Sequence, residues 1–442
     1  MVRKPRIGVA LYAQGNPYVR EGNVACAKGG QPFEFATASD LPGQTLWVTN
    51  CTLNALIDAG LHKNPKIAHD GYYRTRLAQM IQELGADALA IDQQAALLAE
   101  CLGNAAEMSR IQLGLSQYPT RGIAQAVGQL FGAQEPPRGS AVYQVAEQSC
   151  QRYTSCERER RLEKADVFTF WFPRYEWANK LLETPIPTNH DLKVVPSHAL
   201  PELGRDIGAL IEWAEEHKLP LFTRVKIHGL EENVGRLLNY GAGAQTVRRH
   251  TNNGDYEARN LREWCALPEL DFLSLSGEIE VLQVTVAGGW VNNGLHLFSS
   301  RLGPVSYAYG LVAENLWAGV TRRPDPSGNV SRSLSTAWLQ SVDRIDCMKV
   351  AERLQGVGMD VIAYGNGRIT VACPASVRAL IPQVAREHGL MYPSALKDLQ
   401  HYKARPDRPA EVMQHLLNSR NYSRIIQVDQ AMLKELEASR AT

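Results

Sequence analysis

Several familiar signatures are missing from this chain, and each absence removes a class of function. No cysteine pair has CxxC spacing; the closest two of the eight cysteines, Cys150 and Cys156, are separated by five residues. Structural zinc sites take ligands in tighter pairs, because two ligands from one turn preorganise half the tetrahedron. The expectation is therefore no metal, no cofactor and no disulfide, with buried, reduced thiols and a cytoplasmic location. No apolar run approaches the ~20 residues that span a bilayer. The segment from Ile7 to Leu11 is too short for a signal-peptide core and reads as a buried first strand, so no membrane partner is expected. Neither sign of charge is in excess: 47 basic and 46 acidic side chains leave a formal net charge of +1. That balance gives no global pull toward nucleic acid, but it permits a local basic groove. A Gly-Lys-Ser/Thr phosphate loop, a GxGxxG turn after a strand and a nucleophile elbow are also lacking.

What is present is an ordinary folded composition, 44% apolar and 21% charged over 442 residues. That length is too great for one small core and implies two or three domains. Thr45 to Thr49 reads as a strand, with Asn50 or Thr52 capping a helix over Leu53 to Leu61. From Tyr72 to Phe131 the apolar spacing is helical, with Leu77, Met80, Ile81 and Leu84 as one stripe. Gln134 to Ser140 contains paired prolines and reads as a linker. Beyond it, strand-like and helical segments alternate, and residues 270–320 look the most β-rich, with strands at Phe272–Leu275, Ile279–Val286 and Leu295–Phe298. A polar loop, Arg322 to Asn329, leads to the C-terminal region. The expected divisions are 1–133, 141–321, 330–400 and 410–442, in an α+β fold with mixed α/β layers.

The most legible segment is Asp343 to Gly389. Ile345, Met348, Ala351 and Leu354 recur at helical spacing, and glycines end the pattern. Two short strands, Asp360–Tyr364 and Arg368–Ala372, flank Gly365-Asn366-Gly367. Asn-Gly favours a tight hairpin because both residues tolerate positive φ. A second helix follows over Val377 to Ala385. This α-β-β-α order predicts a ferredoxin-like or RRM-like cassette, a unit common in nucleic-acid binding and in other roles.

Three constellations bear on chemistry. Basic residues are dispersed but clustered: Arg152 to Lys164; Arg224 and Lys226 on one strand face; Arg248 and Arg249; and Arg322, Arg323 and Arg332 around the polar loop. Arginines beside aromatics suit single-stranded nucleic acid, the guanidinium holding phosphate and the rings stacking on bases. Tyr153, Tyr175, Tyr307 and Tyr309 are the candidate rings. The helix Arg158 to Lys164 has its own acidic partners and reads first as a solvated face. The small-residue loop 239–246 offers backbone amides to an anion, although Gly241 also reads as a helix cap. His228 and His296 lack the one-apart spacing of a strand-borne metal pair, and His296 between leucines reads as a core residue. Glu278 and Glu280 share a strand face, as acids on edge strands do for solubility.

The leading expectation is a non-catalytic nucleic-acid-binding subunit of a larger bacterial or mobile-element complex. RNA or DNA and other protein subunits are its partners, and Arg224, Lys226, Arg248, Arg249, Arg322, Arg323 and Arg332 its contacts. The alternatives are an enzyme holding a nucleotide or phosphorylated ligand at 239–246, and a structural or assembly protein. Phe168, Phe170, Trp171 and Phe172 would then supply a core or an interface.

Overall fold

The computed structural model describes residues 6–150, 154–156, 165–196, 207–228, 237, 247–250, 256–259, 264–274, 278–394, 405 and 407–441. The loop 239–246, Tyr153 and the basic cluster from Arg152 to Lys164 lie outside the described residues.

The chain begins with a five-stranded sheet. Its order is Phe33–Glu34, Val24–Ala27, Arg6–Leu11, Thr45–Thr49, Ile67–Ala68. Arg6–Leu11 pairs in parallel with Thr45–Thr49, which pairs in parallel with Ile67–Ala68. Both faces are covered, so the strand Thr45–Thr49 is buried along its whole length, including Trp47. The helix Leu53–Asp58 follows. Thr52 caps it, its Oγ1 accepting from the Ala55 N–H at 3.2 Å. The expected stripe at 77–84 forms the helix Leu77–Leu84, and the expected helical spacing continues in the helix Ile91–Gln112.

The helix Tyr307–Val320 is the centre of the molecule. It packs against Ile91–Gln112, Ile123–Phe131, Arg174–Glu183 and the C-terminal Tyr422–Ala441. All of its residues are buried. Sequence reading placed this span in a β-rich region, and that is corrected here. A helix enclosed on every side has no polar face, so the 3.6-residue alternation that marks surface helices is absent. Its start is nonetheless encoded: Ser306 Oγ accepts from the Tyr309 N–H at 3.1 Å. Two further strands expected in that region are also corrected. Leu267–Ser274 is a helix, and His296 lies outside any strand, exposed, on a loop that Gln112 Nε2 holds by donating to the His296 carbonyl at 2.9 Å.

The hairpin at Asn366-Gly367 forms as expected. Asp360–Gly365 and Arg368–Cys373 pair antiparallel, with φ of 59° at Asn366 and 68° at Gly367. The helix Leu334–Gly356 precedes it, starting earlier than the sequence pattern suggested because Ser333 caps it. The helix Ile381–Glu387 follows. The cassette is not self-contained, however. The sheet order is Thr154–Ser155, Asp360–Gly365, Arg368–Cys373, Asp166–Trp171, so the hairpin supplies both central strands and upstream segments supply both edges. A ferredoxin-like unit draws its strands from one continuous βαββαβ run, and this sheet does not.

A second four-stranded antiparallel sheet runs Trp264–Ala266, Leu221–His228, Glu278–Ala287, Leu192–Val194. The apolar cores cross the expected divisions. One gathers Val9, Leu98, Val127, Leu316 and Met432; another joins Phe170, Phe222, Leu270, Ile345 and Val371. The aromatic strand Asp166–Trp171 therefore contributes to the core, with Phe170 fully buried. Fully burying a side chain of this size contributes about 1.5–3 kcal/mol. All eight cysteines are free thiols, and no helix among the described residues is long and apolar enough to cross a membrane.

Candidate nucleic-acid interface

Beneath the candidate surface lies a buried charged network centred on Glu314 of the helix Tyr307–Val320. One carboxylate serves three arginines. It accepts from Arg368 Nη2 at 2.7 Å and Arg174 Nε at 3.2 Å, and Arg74 Nε stands 3.3 Å away. Thr75 Oγ1 donates to it at 2.6 Å. Burial alone would raise this carboxyl's pKa; Arg368, Arg174 and Arg74 overcome it and hold it at about 2. Arg174 also reaches Glu83 with Nη2 at 2.7 and 2.6 Å, and Tyr307 donates its hydroxyl to Glu83 at 2.9 Å. The network ties the N-terminal region, the helix Arg174–Glu183 and the hairpin strand Arg368–Cys373 to one residue.

Asp343 closes the same assembly from the other side. Its carboxylate accepts from the N–H groups of Asn366 and Gly367 (Gly367 at 2.7 Å) and from Trp177 Nε1 at 3.1 Å. Burial raises its pKa to about 6, against the opposing pull of Arg74 and those donors. Arg74 in turn donates Nη2 to the Asn366 carbonyl at 3.1 Å and lies over the rings of Trp177 and Trp317. The hairpin tip is thus clamped at both its donors and its acceptor.

Above this network opens a cleft of about 720 Å³. The helix Leu53–Asp58, the segment 67–76, the start of the helix Ile123–Phe131 and the loop 322–329 form its walls. Arg74, Arg76, Arg121 and Arg322 line it together with His62 and His69, and no carboxylate is among the lining side chains. Arg76 is open, with 63% of its side chain exposed and Asp70 at 3.6 Å. Arg121 Nη1 donates to the Pro326 carbonyl at 3.3 Å, and Arg322 Nη1 donates to the Gly328 carbonyl, so both arginines fasten the loop that forms one wall. His69 Nδ1 accepts from the Gly71 N–H at 3.0 Å, which leaves Nε2 to carry the proton of the neutral ring. Burial lowers the His69 pKa, so the ring is neutral near pH 7. Tyr72 also lines the cleft, and its buried hydroxyl has no hydrogen-bond partner among the described residues.

The residues singled out from sequence are distributed unevenly. Arg322 lies in the cleft wall. Arg323 instead faces Asp325 at 3.4 Å and Glu135 at 3.8 Å. Arg332 donates Nη1 to Tyr143 at 2.8 Å and pairs with Glu147. Glu135 also accepts from the Arg332 N–H at 3.2 Å, so the segment expected as an open linker is docked against this loop, with Pro136 buried. Arg224 is half-buried at the pairing position opposite Trp264 and Gln283, and Lys226 is in register with Glu280. Arg248 and Arg249 occupy the strand Val247–His250 of a separate two-stranded ribbon, in register with Ala258 and Glu257. Tyr307 and Tyr309 are buried, and their hydroxyls are committed to Glu83 and Gln112, so they are not base-stacking platforms. Tyr175 is half-buried and donates to the Phe298 carbonyl at 3.3 Å.

Sequence reading missed Arg74, Arg76, Arg121 and Glu314. The one local signal was Glu314 itself, a charge inside the apolar run Gly310 to Trp317. A buried acid demands cations, but nothing local says which ones.

No family model and no curated protein matches the chain. Among solved structures, Phi29 DNA polymerase in its ternary complex with primer-template DNA and nucleotide is similar over 85% of this chain and 82% of its own, at 9% identity and a TM-score of 0.39. The same polymerase with single-stranded DNA covers 84% and 81%, at 9% identity and 0.40.

Proposed function

We propose that this protein binds nucleic acid in the arginine-lined cleft, without performing chemistry on it. The observation that carries the reading is the convergence of Arg76, Arg121 and Arg322 on one cleft whose lining has no carboxylate. In a chain of net charge +1, such local segregation of positive charge is what a polyanion requires. Among the described residues no group of three His, Cys, Asp or Glu side chains is placed to hold a metal ion. Arg323 and Arg332 act in this reading by fixing the loop that carries Arg322. Arg224, Lys226, Arg248 and Arg249 are proposed as a flanking contact. Protein partners belong to the same reading: Val167 and Val194 are 62% and 59% exposed on sheet edges, where apolar side chains suit contact with another chain.

Fluorescence anisotropy with labelled DNA and RNA over a range of salt concentrations tests this. Affinity should fall as salt rises, and Arg76→Ala with Arg121→Ala should flatten the logarithmic slope by about 2, since each lost phosphate contact removes about one unit. A protein that binds neither DNA nor RNA in a salt-dependent way is not what this reading describes. An unchanged slope in the double variant would move the contacts out of the cleft.

A further inference from the structure

The arginine-lined cleft does not end at its own walls. A second cavity, of about 280 Å³, adjoins it. Thr120 lines both. The chain from Pro65 to Ala68 passes from one to the other: Pro65 and Lys66 line the second, Ile67 and Ala68 the first. The second cavity adds Lys66, Arg6 and Tyr118, and it too has no carboxylate side chain in its lining. Arg6 and Lys66 are exposed. Basic side chains thus line both cavities, Arg322, Arg121 and Arg76 the first and Lys66 and Arg6 the second.

The first cleft also has an apolar wall. Leu53, Leu56 and Ile57 share one face of the helix Leu53–Asp58 and line the cleft, and Leu53 and Ile57 are 47% and 45% exposed. Leaving two large apolar side chains open beside arginines serves a ligand that is charged on one side and flat and apolar on the other. A duplex keeps its bases stacked inside and offers such a wall nothing, whereas an unpaired strand presents base faces and phosphates together.

Resting on the reading of the cleft as a nucleic-acid site, we propose that its ligand is a single strand that runs from the cleft across Thr120 into the second cavity. Lys66 and Arg6 are its distal phosphate contacts, and Leu53 and Ile57 are the seat for its bases. A mononucleotide or short phosphorylated metabolite fills only the first cavity. A strand fills both, within the ~4–16 nucleotides that comparable single-strand sites cover.

The test is anisotropy with labelled oligothymidylates of increasing length and with a matched duplex. Affinity should climb with length and level off once both cavities are spanned, and the duplex should bind more weakly than the single strand. The variant Arg6→Ala with Lys66→Ala should lower affinity for the long strand several-fold and flatten its salt slope by about 2, while leaving the shortest strand unaffected. Leu53→Ser with Ile57→Ser should reduce single-strand preference without changing the salt slope. Length-independent affinity, or equal losses for short and long strands in the Arg6/Lys66 variant, would overturn the track while leaving the cleft's nucleic-acid binding intact. A duplex bound as tightly as the strand would overturn the single-strand assignment. No salt-dependent binding at any length would remove both readings.

Discussion

At the scale of single residues, the fold depends on carboxylates placed where water cannot reach them. Glu314 is 1% exposed and balances three guanidinium groups. Glu314→Gln keeps the shape but leaves buried positive charge uncompensated. Breaking a buried pair in this way costs about 3–5 kcal/mol, so urea denaturation should show a loss of that order. A loss near zero would mean water reaches the network. Two other acids set the pH response. Asp429 is fully buried and accepts from Ser306 Oγ at 2.8 Å and the Ala308 N–H at 3.0 Å. Burial raises its pKa from 3.8 to about 7, as it raises that of Asp343 to about 6. In each case the folded protein holds a proton that the unfolded chain has released. Stability therefore declines as pH rises from the unfolded value through the folded one, and is level above it. Glu314 acts oppositely: its folded pKa near 2, against 4.5, gives stability that is complete above the unfolded value and lost as pH falls toward 2. Chemical denaturation against pH should show Asp429→Asn flattening the decline between about pH 4 and pH 7. A decline of undiminished slope would assign it to other groups.

At the scale of elements, close packing around the helix Tyr307–Val320 sets the geometry of the cleft wall. A Cβ at Gly319 would sit 2.3 Å from the Val127 Cβ and 2.8 Å from the Ala124 carbonyl, so this helix and Ile123–Phe131 touch nearly backbone to backbone. Gly319→Ala should therefore destabilise by about 1–3 kcal/mol through overpacking, read as a lowered denaturation midpoint with unchanged m-value. Neutral behaviour would show that the helices separate freely. The same element shows why sequence reading divided as it did. The hairpin at Asn366-Gly367, the Thr52 cap and the stripe of Leu77, Met80 and Leu84 were legible, because local chemistry specifies each of them. Tyr307–Val320 was not, because burial on all sides erased its periodicity. The sheet around the hairpin was not either. Its edge strands, Thr154–Ser155 and Asp166–Trp171, lie some two hundred residues upstream, and nothing in a strand's own composition names its neighbour.

At the scale of the whole molecule, the cleft is a product of topology. Arg74 and Arg76 follow the N-terminal sheet, Arg121 precedes the helix Ile123–Phe131, and Arg322 follows the central helix. Their meeting has no counterpart as a run of basic residues, which explains why only Arg322 among the sequence candidates lines the cleft. Photocrosslinking locates the bound strand most directly. A single-stranded oligonucleotide carrying a photoreactive base is crosslinked to the full-length protein, and the modified peptides are mapped. The account predicts crosslinks within 53–76, 118–125 and 322–329. Crosslinks confined to 221–259, with those three segments unmodified, would contradict it.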